Sequence, residues 1–118
     1  MKKPTRFYSK KQEHKVAKDL KGRVAPNSGA TAFSKGDVRT DLFLIECKTR
    51  TIERESFAIQ RPWLDKVKEE SFAMNKPYYA LAFSFGGNSE NYYVIDTKTF
   101  KLLNELLESE ENYGNQMD

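Results

Sequence analysis

The sequence predicts an α/β fold, a sandwich of helices on one mixed β-sheet, and three observations support this. Residues 78–85 are almost wholly apolar, which is typical of a central strand buried on both faces. Amphipathic helical patterns lie before and after this run. Two apolar stretches flank Thr40 and Asp41 closely enough to form an antiparallel hairpin. The expected element order is αβββαββα, in one domain spanning residues 1–118.

In the N-terminal half we expect a helix, a short strand and a hairpin. Ser9 and Gln12 have capping-box spacing, so the helix should begin near residue 9 and end at Gly22. Its apolar face consists of Val16, Ala17 and Leu20. Residues 23–26 form a strand and residues 27–29 a turn. The hairpin then joins residues 31–39, broken near Gly36, to residues 42–49.

In the C-terminal half we expect two helices and two strands. A loop at residues 50–59 leads to a helix that has Pro62 in its first turn and ends at residues 75–77. Strands 78–85 and 92–95 follow, and Thr97 caps the last helix. The predicted buried positions of the two helices are Trp63, Leu64, Val67 and Met74, then Phe100, Leu103, Leu106 and Leu107. Residues 108–118 should be a frayed acidic tail.

Composition excludes several classes of protein. With 38% hydrophobic residues the chain should form a packed core rather than stay disordered. No apolar run reaches the roughly 20 residues of a membrane span, and no secretory signal is recognisable. Cys47 and His14 are single residues of their kinds, so neither an internal disulfide nor a one-chain zinc or Cys–His site is expected. We therefore expect a reducing, intracellular and cytoplasmic setting, without membrane association.

Charge is distributed unevenly along the chain. The first 23 residues carry nine basic and two acidic side chains, whereas the last 23 carry two basic and six acidic ones. A basic end on a small protein is typical of a polyanion-binding surface. A lysine-rich, solvated helix face would give the same composition, so charge alone leaves both interpretations open.

The segment spanning residues 35–48 contains the strongest chemical signal. Residues two apart on a strand share a face, so Glu46 and Lys48 point the same way and Cys47 the other way. In the hairpin, Asp37 lies opposite Leu44 if Thr40 and Asp41 form the turn. Asp37 lies opposite Glu46 if the turn is a four-residue loop centred between Asp41 and Leu42. Both registers place Asp37 on the face of Glu46 and Lys48.

Two neighbouring carboxylates repel each other unless a cation lies between them. Oxygen ligands of this kind suit Mg²⁺, which lowers the pKa of a bound water and stabilises charge on a phosphodiester under attack. Lys48 would then either orient the nucleophile or neutralise the phosphate. The alternative is a plain Glu46–Lys48 pair on a solvated strand face, with Asp37 serving only the turn after Gly36.

The motifs between residues 9 and 85 resemble the PD-(D/E)XK nuclease superfamily, and most closely the archaeal-type Holliday junction resolvases and their small phage-encoded relatives. The matching features are Glu13, the 27–30 loop, Lys35-Gly36-Asp37-Val38, Leu44-Ile45-Glu46-Cys47-Lys48 and residues 59–66. Gly36 stands where the family pattern has proline, and nine residues from Asp37 to Glu46 is at the short end of its spacing.

The resemblance implies a restriction-endonuclease-like three-layer α/β sandwich and a metal-dependent, structure-selective DNA endonuclease that leaves 5′-phosphates. Asp37, Glu46 and the main-chain carbonyl of Cys47 would bind Mg²⁺, with Mn²⁺ as a substitute, and Lys48 would be the catalytic lysine. Glu13 would complete the metal site. Independently, Glu13 lies on the apolar stripe of its helix, where a carboxylate is costly unless paired or metal-bound. The alternative is that Glu13 lies at the edge of the stripe and reaches solvent.

The resemblance also implies a DNA partner, branched or four-way, and a two-fold homodimer acting in recombination, repair or phage genome processing. Ser28 would lie near the scissile phosphate, although turn chemistry with Gly29 explains it equally well. Basic residues around the site in sequence would contact phosphates: Lys10, Lys11, Lys15, Lys35, Arg39 and Arg50. Two alternatives stay open. One is a nuclease of the same chemistry that acts on ends, nicks or flaps, and the other is a non-catalytic DNA-binding module.

Overall fold

The computed structural model describes residues 5–26, 37–87 and 89–117, with side chains described for residues 6–26, 37–87 and 89–114. These residues form three helices and five strands, and so confirm the α/β class. The elements are α1 (Thr5–Leu20), β1 (Arg23–Val24), β2 (Val38–Arg39), β3 (Phe43–Lys48), α2 (Arg61–Ala73), β4 (Tyr78–Phe83), β5 (Tyr92–Val94) and α3 (Thr97–Met117). The predicted 27–29 turn, and residues 31–36 of the predicted second strand, lie outside the described residues.

The five strands form one sheet in the order β1-β2-β3-β4-β5. Strands β3 and β4 are parallel and the other neighbours are antiparallel, so the sheet is mixed as predicted. Helix α2 makes the crossover between the two parallel strands, since parallel neighbours cannot be joined by a tight turn. The carboxyl ends of β3 and β4 therefore lie side by side.

Apolar side chains cover both faces of the sheet. On one face, Ile45 packs with Val16 and Ala17 of α1 and with alanines of β4. On the other face Leu44 and Leu81 are fully buried, as is Val67 of α2. Burial on both faces explains why β3 and β4 are continuously apolar rather than alternating.

Helix α1 differs from the prediction at both ends. It begins at Thr5 instead of near residue 9, so Ser9 does not cap it. It ends with Lys21 in the left-handed region (φ 56°), and the amide of Gly22 donates to the Ala17 carbonyl (2.8 Å), which is a Schellman arrangement. Gly22 is needed for a different reason: a Cβ there would lie 2.6 Å from the Arg39 carbonyl oxygen.

The other two helices also depart from the predicted burial. In α2, Val67 and Ser71 are buried, whereas Trp63, Leu64 and Met74 are only half-buried. Helix α3 is capped by Asp96 rather than Thr97, because the Asp96 carboxylate accepts a hydrogen bond from the Thr99 amide (2.9 Å).

The end of the chain is more regular than predicted, and its apolar side chains are more exposed. Helix α3 continues to Met117, so the segment predicted to fray from residue 108 is helical. Its predicted core residues, Phe100, Leu103, Leu106 and Leu107, are all exposed. Within the described residues, none of the helices combines the length and the apolar character needed to cross a membrane.

Candidate active site

The β2–β3 hairpin places Asp37 beside Glu46. Val38 pairs with Ile45 and Arg39 with Leu44, which is the register centred between Asp41 and Leu42. The Asp37 Oδ2 atom accepts a hydrogen bond from the Cys47 amide (2.7 Å). This bond fixes the carboxylate at the sheet, on the face that the strand period assigned to Glu46.

Glu46 is the most buried charged side chain of the site, with 5% of its surface exposed. Its Oε1 atom lies 3.6 Å from the Lys48 Nζ atom and 3.8 Å from the Lys66 Nζ atom. Its Oε2 atom is buried and has no hydrogen-bond partner among the described residues. Burial and the charge of Asp37 raise the pKa of Glu46, and the two lysines oppose that rise.

Glu13 interacts electrostatically with both carboxylates of the hairpin. Burial, followed by the charges of Asp37 and Glu46, raises the pKa of Glu13 to about 7. Lys10 and Arg6 on the same helix act in the opposite direction. Glu13 is half-buried, which fits both a role in the site and a position at the edge of the stripe that reaches solvent.

These three carboxylates are near one another without already forming a metal cage. Across the residues that the structure describes, no three His, Cys, Asp or Glu side chains are arranged as a set able to hold an ion. Like charges repel, so carboxylates stand apart until a cation draws them together. Burial is the largest cause of the raised pKa of Glu13, and the charges of Asp37 and Glu46 add to it, while the Glu46 Oε2 atom has no hydrogen-bond partner among the described residues.

Gln12 holds α1 against the carboxyl ends of the parallel strands. Its Nε2 atom donates to the main-chain carbonyls of Lys48 (2.8 Å) and Ala82 (3.3 Å) and to the Asn91 side chain (3.0 Å). Gln12 therefore serves tertiary packing rather than the predicted capping box. Glu13 is the next residue, so these bonds hold the turn of α1 that carries Glu13 near the carboxyl ends of the strands.

Among the described residues, Lys48 and Lys66 are the cations within 4 Å of the Glu46 carboxylate, and Lys48 is the nearer. Its side chain is 31% exposed, and its Nζ atom lies 4.8 Å from the centre of the Trp63 ring. A cation over an aromatic face is attracted to the ring, so Trp63 helps to hold the ammonium group in place. Trp63 was predicted as core, but its position gives it this contact with the site.

Helix α2 supplies charged residues that sequence reasoning did not assign to the site. Lys66 is 3.8 Å from Glu46, and the charge of Glu70 contributes to the raised pKa of Glu46. The Glu70 Oε1 atom is buried without a hydrogen-bond partner among the described residues. Trp63, Lys66 and Glu70 are spaced by three and four positions, so a helical wheel could have placed them on one face.

Cys47 contacts the candidate site through its main-chain amide, which donates to Asp37, and not through its thiol. The thiol packs beside the core, and burial together with the Asp37 charge raises its pKa well above the usual value. A thiol held protonated in this way is a poor nucleophile. The expected metal-binding role of the Cys47 carbonyl stays a prediction.

The predicted DNA contacts fall into different environments. Lys10, Lys11 and Lys15 are exposed on α1, and Lys15 lies 3.6 Å from Asp19. Arg39 is half-buried opposite Leu44.

Arg50 is less available than expected. Its guanidinium group lies 5.1 Å from the centre of the Phe57 ring, and its Nε atom is buried without a partner in the described part of the chain. Ser28 and Lys35 lie outside the described residues.

Glu13 should make the metal-free protein less stable as the pH rises. In the folded chain it keeps its proton to about pH 7, whereas in the unfolded chain it ionises near 4.5. The stabilising contribution of the protonated form is thus complete below the unfolded pKa and lost by about pH 7. After a discount for partial exposure, Glu13→Gln should raise the free energy of unfolding above pH 7 by on the order of 2 kcal/mol.

Thermal unfolding in a metal chelator, with wild type and Glu13→Gln compared at acidic and alkaline pH, measures this effect. Glu55→Gln is the matched control, because Glu55 is an exposed loop glutamate. Equal melting temperatures of wild type and Glu13→Gln above pH 7 would contradict the raised pKa of Glu13, which burial and the hairpin carboxylates produce together.

No protein-family model, no curated protein and no solved structure matches this chain. The functional assignment therefore depends on the chemistry of the Glu13, Asp37, Glu46 and Lys48 group itself.

Proposed function

We propose that this protein is a divalent-metal-dependent DNA endonuclease with a restriction-endonuclease-like three-layer sandwich, selective for branched DNA such as the Holliday junction. One observation carries the proposal most directly. The Glu46 carboxylate is buried beside Asp37 and leaves its Oε2 atom without a partner. A buried, unpaired carboxylate oxygen is costly, and a bound cation is the natural compensation.

The side chains present fit a hard divalent cation. Asp37, Glu46 and Glu13 offer carboxylate oxygens, and the Cys47 main-chain carbonyl would add a fourth oxygen ligand. Oxygen donors with high negative charge favour Mg²⁺, with Mn²⁺ as a substitute, over zinc or copper. When bound, such an ion lowers the pKa of a coordinated water and offsets charge on the phosphate under attack.

The lysines of the site would stabilise the negative charge that develops on the phosphate during cleavage. Lys48, held over Trp63, would contact the scissile phosphate and neutralise the charge that builds on its non-bridging oxygens. Lys66 lies 3.8 Å from the same Glu46 oxygen and would assist from α2. Both ammonium groups also oppose the rise in the pKa of Glu46 that burial and the charge of Asp37 cause. The expected products carry 5′-phosphates.

Nucleic acid would approach along the basic part of α1. Lys10, Lys11 and Lys15 are exposed on the helix that carries Glu13, so they would meet phosphates on either side of the cut. Contacts of this kind orient the duplex without selecting a sequence. That property suits an enzyme that recognises DNA shape, and the intracellular roles it fits are recombination, repair and phage genome processing.

Junction selectivity depends on the family resemblance, whereas phosphodiester chemistry depends on the site. A nuclease acting on ends, nicks or flaps would use the same residues. A non-catalytic DNA-binding module would have no use for the carboxylate–lysine group, and so it is the less favoured alternative. Symmetric cleavage of a four-way junction also needs two active sites, which a two-fold homodimer would supply.

The decisive experiment compares a four-way DNA junction with a linear duplex of the same arm sequence, each with and without Mg²⁺. We expect paired, symmetric nicks in the junction, dependence on Mg²⁺ and little cutting of the duplex. Metal-dependent cutting of the duplex, or of flaps and nicked duplexes, would support the broader nuclease and refute junction selectivity. Binding to the junction without cutting in the presence of Mg²⁺ would favour the non-catalytic module.

A further inference from the structure

A small polar pocket lies between α1 and the ends of two neighbouring strands. Its residues from α1 share one side of the helix, because they are spaced by three and four positions: Tyr8, Lys11, Gln12 and Lys15. The remaining lining residues lie just beyond β3 and β4 or in the connection to β5. The pocket therefore adjoins the strand end that carries Lys48, although none of the candidate active-site residues lines it.

The chemistry of the lining suits an anion. Lys11 and Lys15 supply positive charge, and both are exposed, so the pocket is reached from solvent. Tyr8, Thr49 and Asn91 carry hydroxyl or amide groups that can donate hydrogen bonds. Among the described residues that line the pocket, none carries a carboxylate. This combination of two cations with neutral donors is the one that binds oxyanions.

One buried acceptor in the wall of the pocket has no donor. Gln12 is 6% exposed, and its Nε2 atom donates to the carbonyls of Lys48 and Ala82 and to the Asn91 side chain. Its Oε1 atom is buried and has no hydrogen-bond partner among the described residues. Turning the amide over would place that oxygen against two carbonyls instead. A buried acceptor without a donor is costly, so we expect the pocket to hold a molecule that donates to it.

The volume of the pocket selects a small occupant. The pocket encloses about 80 Å³, which is roughly the space of two or three water molecules. Sites for nucleotides and other small organic molecules usually enclose about 300 Å³ or more. One phosphate group with an accompanying water is the anion that matches this size. Such a water can donate one hydrogen to Gln12 Oε1 and the other to a phosphate oxygen, which itself cannot donate.

We propose that this pocket binds one phosphate group of the DNA backbone, distinct from the phosphate that is cut. Lys11 and Lys15 then converge on a single phosphate instead of contacting separate phosphates along α1. The ion pair of Lys15 with Asp19 is exposed and therefore weak, so Lys15 can turn to the phosphate. An anchored phosphate beside the strand end that carries Lys48 fixes the register of the backbone at the site. DNA as the carrier of the phosphate rests on the proposed function.

The salt dependence of DNA binding tests this convergence. In a metal chelator, the slope of the logarithm of the binding constant against the logarithm of salt concentration is about −0.9 per neutralised phosphate. Lys11→Gln/Lys15→Gln should make the slope shallower by about one phosphate, because both lysines act on the same group. A change of about two phosphates would place them on separate phosphates and refute the pocket, and so would no change. Lys18→Gln removes an exposed lysine of α1 outside the pocket and should leave the slope unaltered.

Uncharged variants separate the pocket from general attraction to DNA. Tyr8→Phe and Thr49→Val each remove one hydroxyl group and no charge. Each should weaken binding of the four-way junction about tenfold, with an unchanged salt slope, because a hydrogen bond to a charged group is lost. Tyr113→Phe removes the hydroxyl of an exposed tyrosine on α3 and should bind as wild type does. Wild-type affinity in both pocket variants, with their circular dichroism unchanged, would overturn the proposal.

Inorganic phosphate distinguishes a DNA phosphate from a free one. In a chelator, adding it should shift the amide NMR signals of Thr49, Gly87 and Ser89, which line the pocket, and DNA should reverse these shifts by competition. The same shifts with wild-type DNA affinity in Lys11→Gln/Lys15→Gln would make free phosphate the ligand and refute the DNA assignment.

The pocket and the proposed nuclease activity can fail separately. A chain whose DNA binding responds to the pocket variants as expected, but which cuts no DNA in Mg²⁺, would refute the nuclease and keep the phosphate pocket. A chain that cuts the junction normally, and whose salt slope is unchanged in Lys11→Gln/Lys15→Gln, would refute the pocket and keep the nuclease.

Discussion

Asp37→Asn and Glu46→Gln should each reduce DNA cleavage by about a thousandfold or more, because each removes a charge on which the metal depends. A loss of this size corresponds to about 4 kcal/mol, the scale expected when metal-assisted charge stabilisation is removed. The fold should persist in both variants. Asn at position 37 can still accept the hydrogen bond from the Cys47 amide, and Gln at position 46 keeps the shape of the buried side chain.

A readout independent of cleavage separates metal binding from chemistry. Mg²⁺ should raise the melting temperature of the wild-type protein, since a ligand that binds only the folded state stabilises it. The increase should be lost in Asp37→Asn and Glu46→Gln. Without metal, Glu46→Gln should unfold near the wild-type temperature above neutral pH, because it removes a buried carboxylate with one unpartnered oxygen together with its ion pairs to Lys48 and Lys66.

DNA binding completes this test. In a metal chelator, both variants should bind the junction with wild-type affinity, because the exposed lysines of α1 are unchanged. Glu55→Gln, a neutralised carboxylate in an exposed loop, should cut normally. Cleavage at the wild-type rate by either site variant would show that the metal centre lies elsewhere.

The hairpin site was predictable because strand geometry has a period of two. That period places Glu46 and Lys48 on one face whatever surrounds them, and both registers left Asp37 on the same face. The sequence could not choose between the registers, since turn length depends on the conformation at Asp41 and Leu42. The observed pairs select the register centred there. The α/β class and the mixed sheet were likewise predictable from apolar runs and helical periodicity.

Two features could not be predicted, and for different physical reasons. Helical periodicity shows which residues of α2 share a face, but not which part of the sheet that face meets. Lys66 and Glu70 were therefore missed. In α3, the amphipathic pattern predicted a buried face, and that prediction was wrong for the single chain, since Leu106 and Leu107 are exposed. A hydrophobic pattern indicates that a face is to be buried, without specifying whether the covering surface belongs to the same molecule.

Lys48→Ala should reduce the rate constant of cleavage by about 10²–10³-fold, the loss typical of removing one preorganised group that stabilises transition-state charge. The expected effect on metal binding is smaller, because Lys48 is not a ligand. At a pH well above neutrality, the Mg²⁺-induced rise in melting temperature should persist. At lower pH it should weaken, since Lys48 lowers the pKa of Glu46 and its loss lets a proton compete with the metal.

Two lysines of α2 serve as comparisons for Lys48→Ala. They decide whether the loss of cleavage comes from the position of Lys48 in the site or from the loss of one positive charge anywhere on the protein. Lys66→Ala should have an intermediate effect, because Lys66 faces the same Glu46 oxygen as Lys48 but is more exposed. Lys68→Ala removes the same charge from an exposed position two residues along the helix and should cleave normally. Equal losses in Lys48→Ala and Lys68→Ala would mean that these lysines only attract DNA. A loss of cleavage that is largest in Lys48→Ala, smaller in Lys66→Ala and absent in Lys68→Ala would show that the lysines act at the site, beside Glu46.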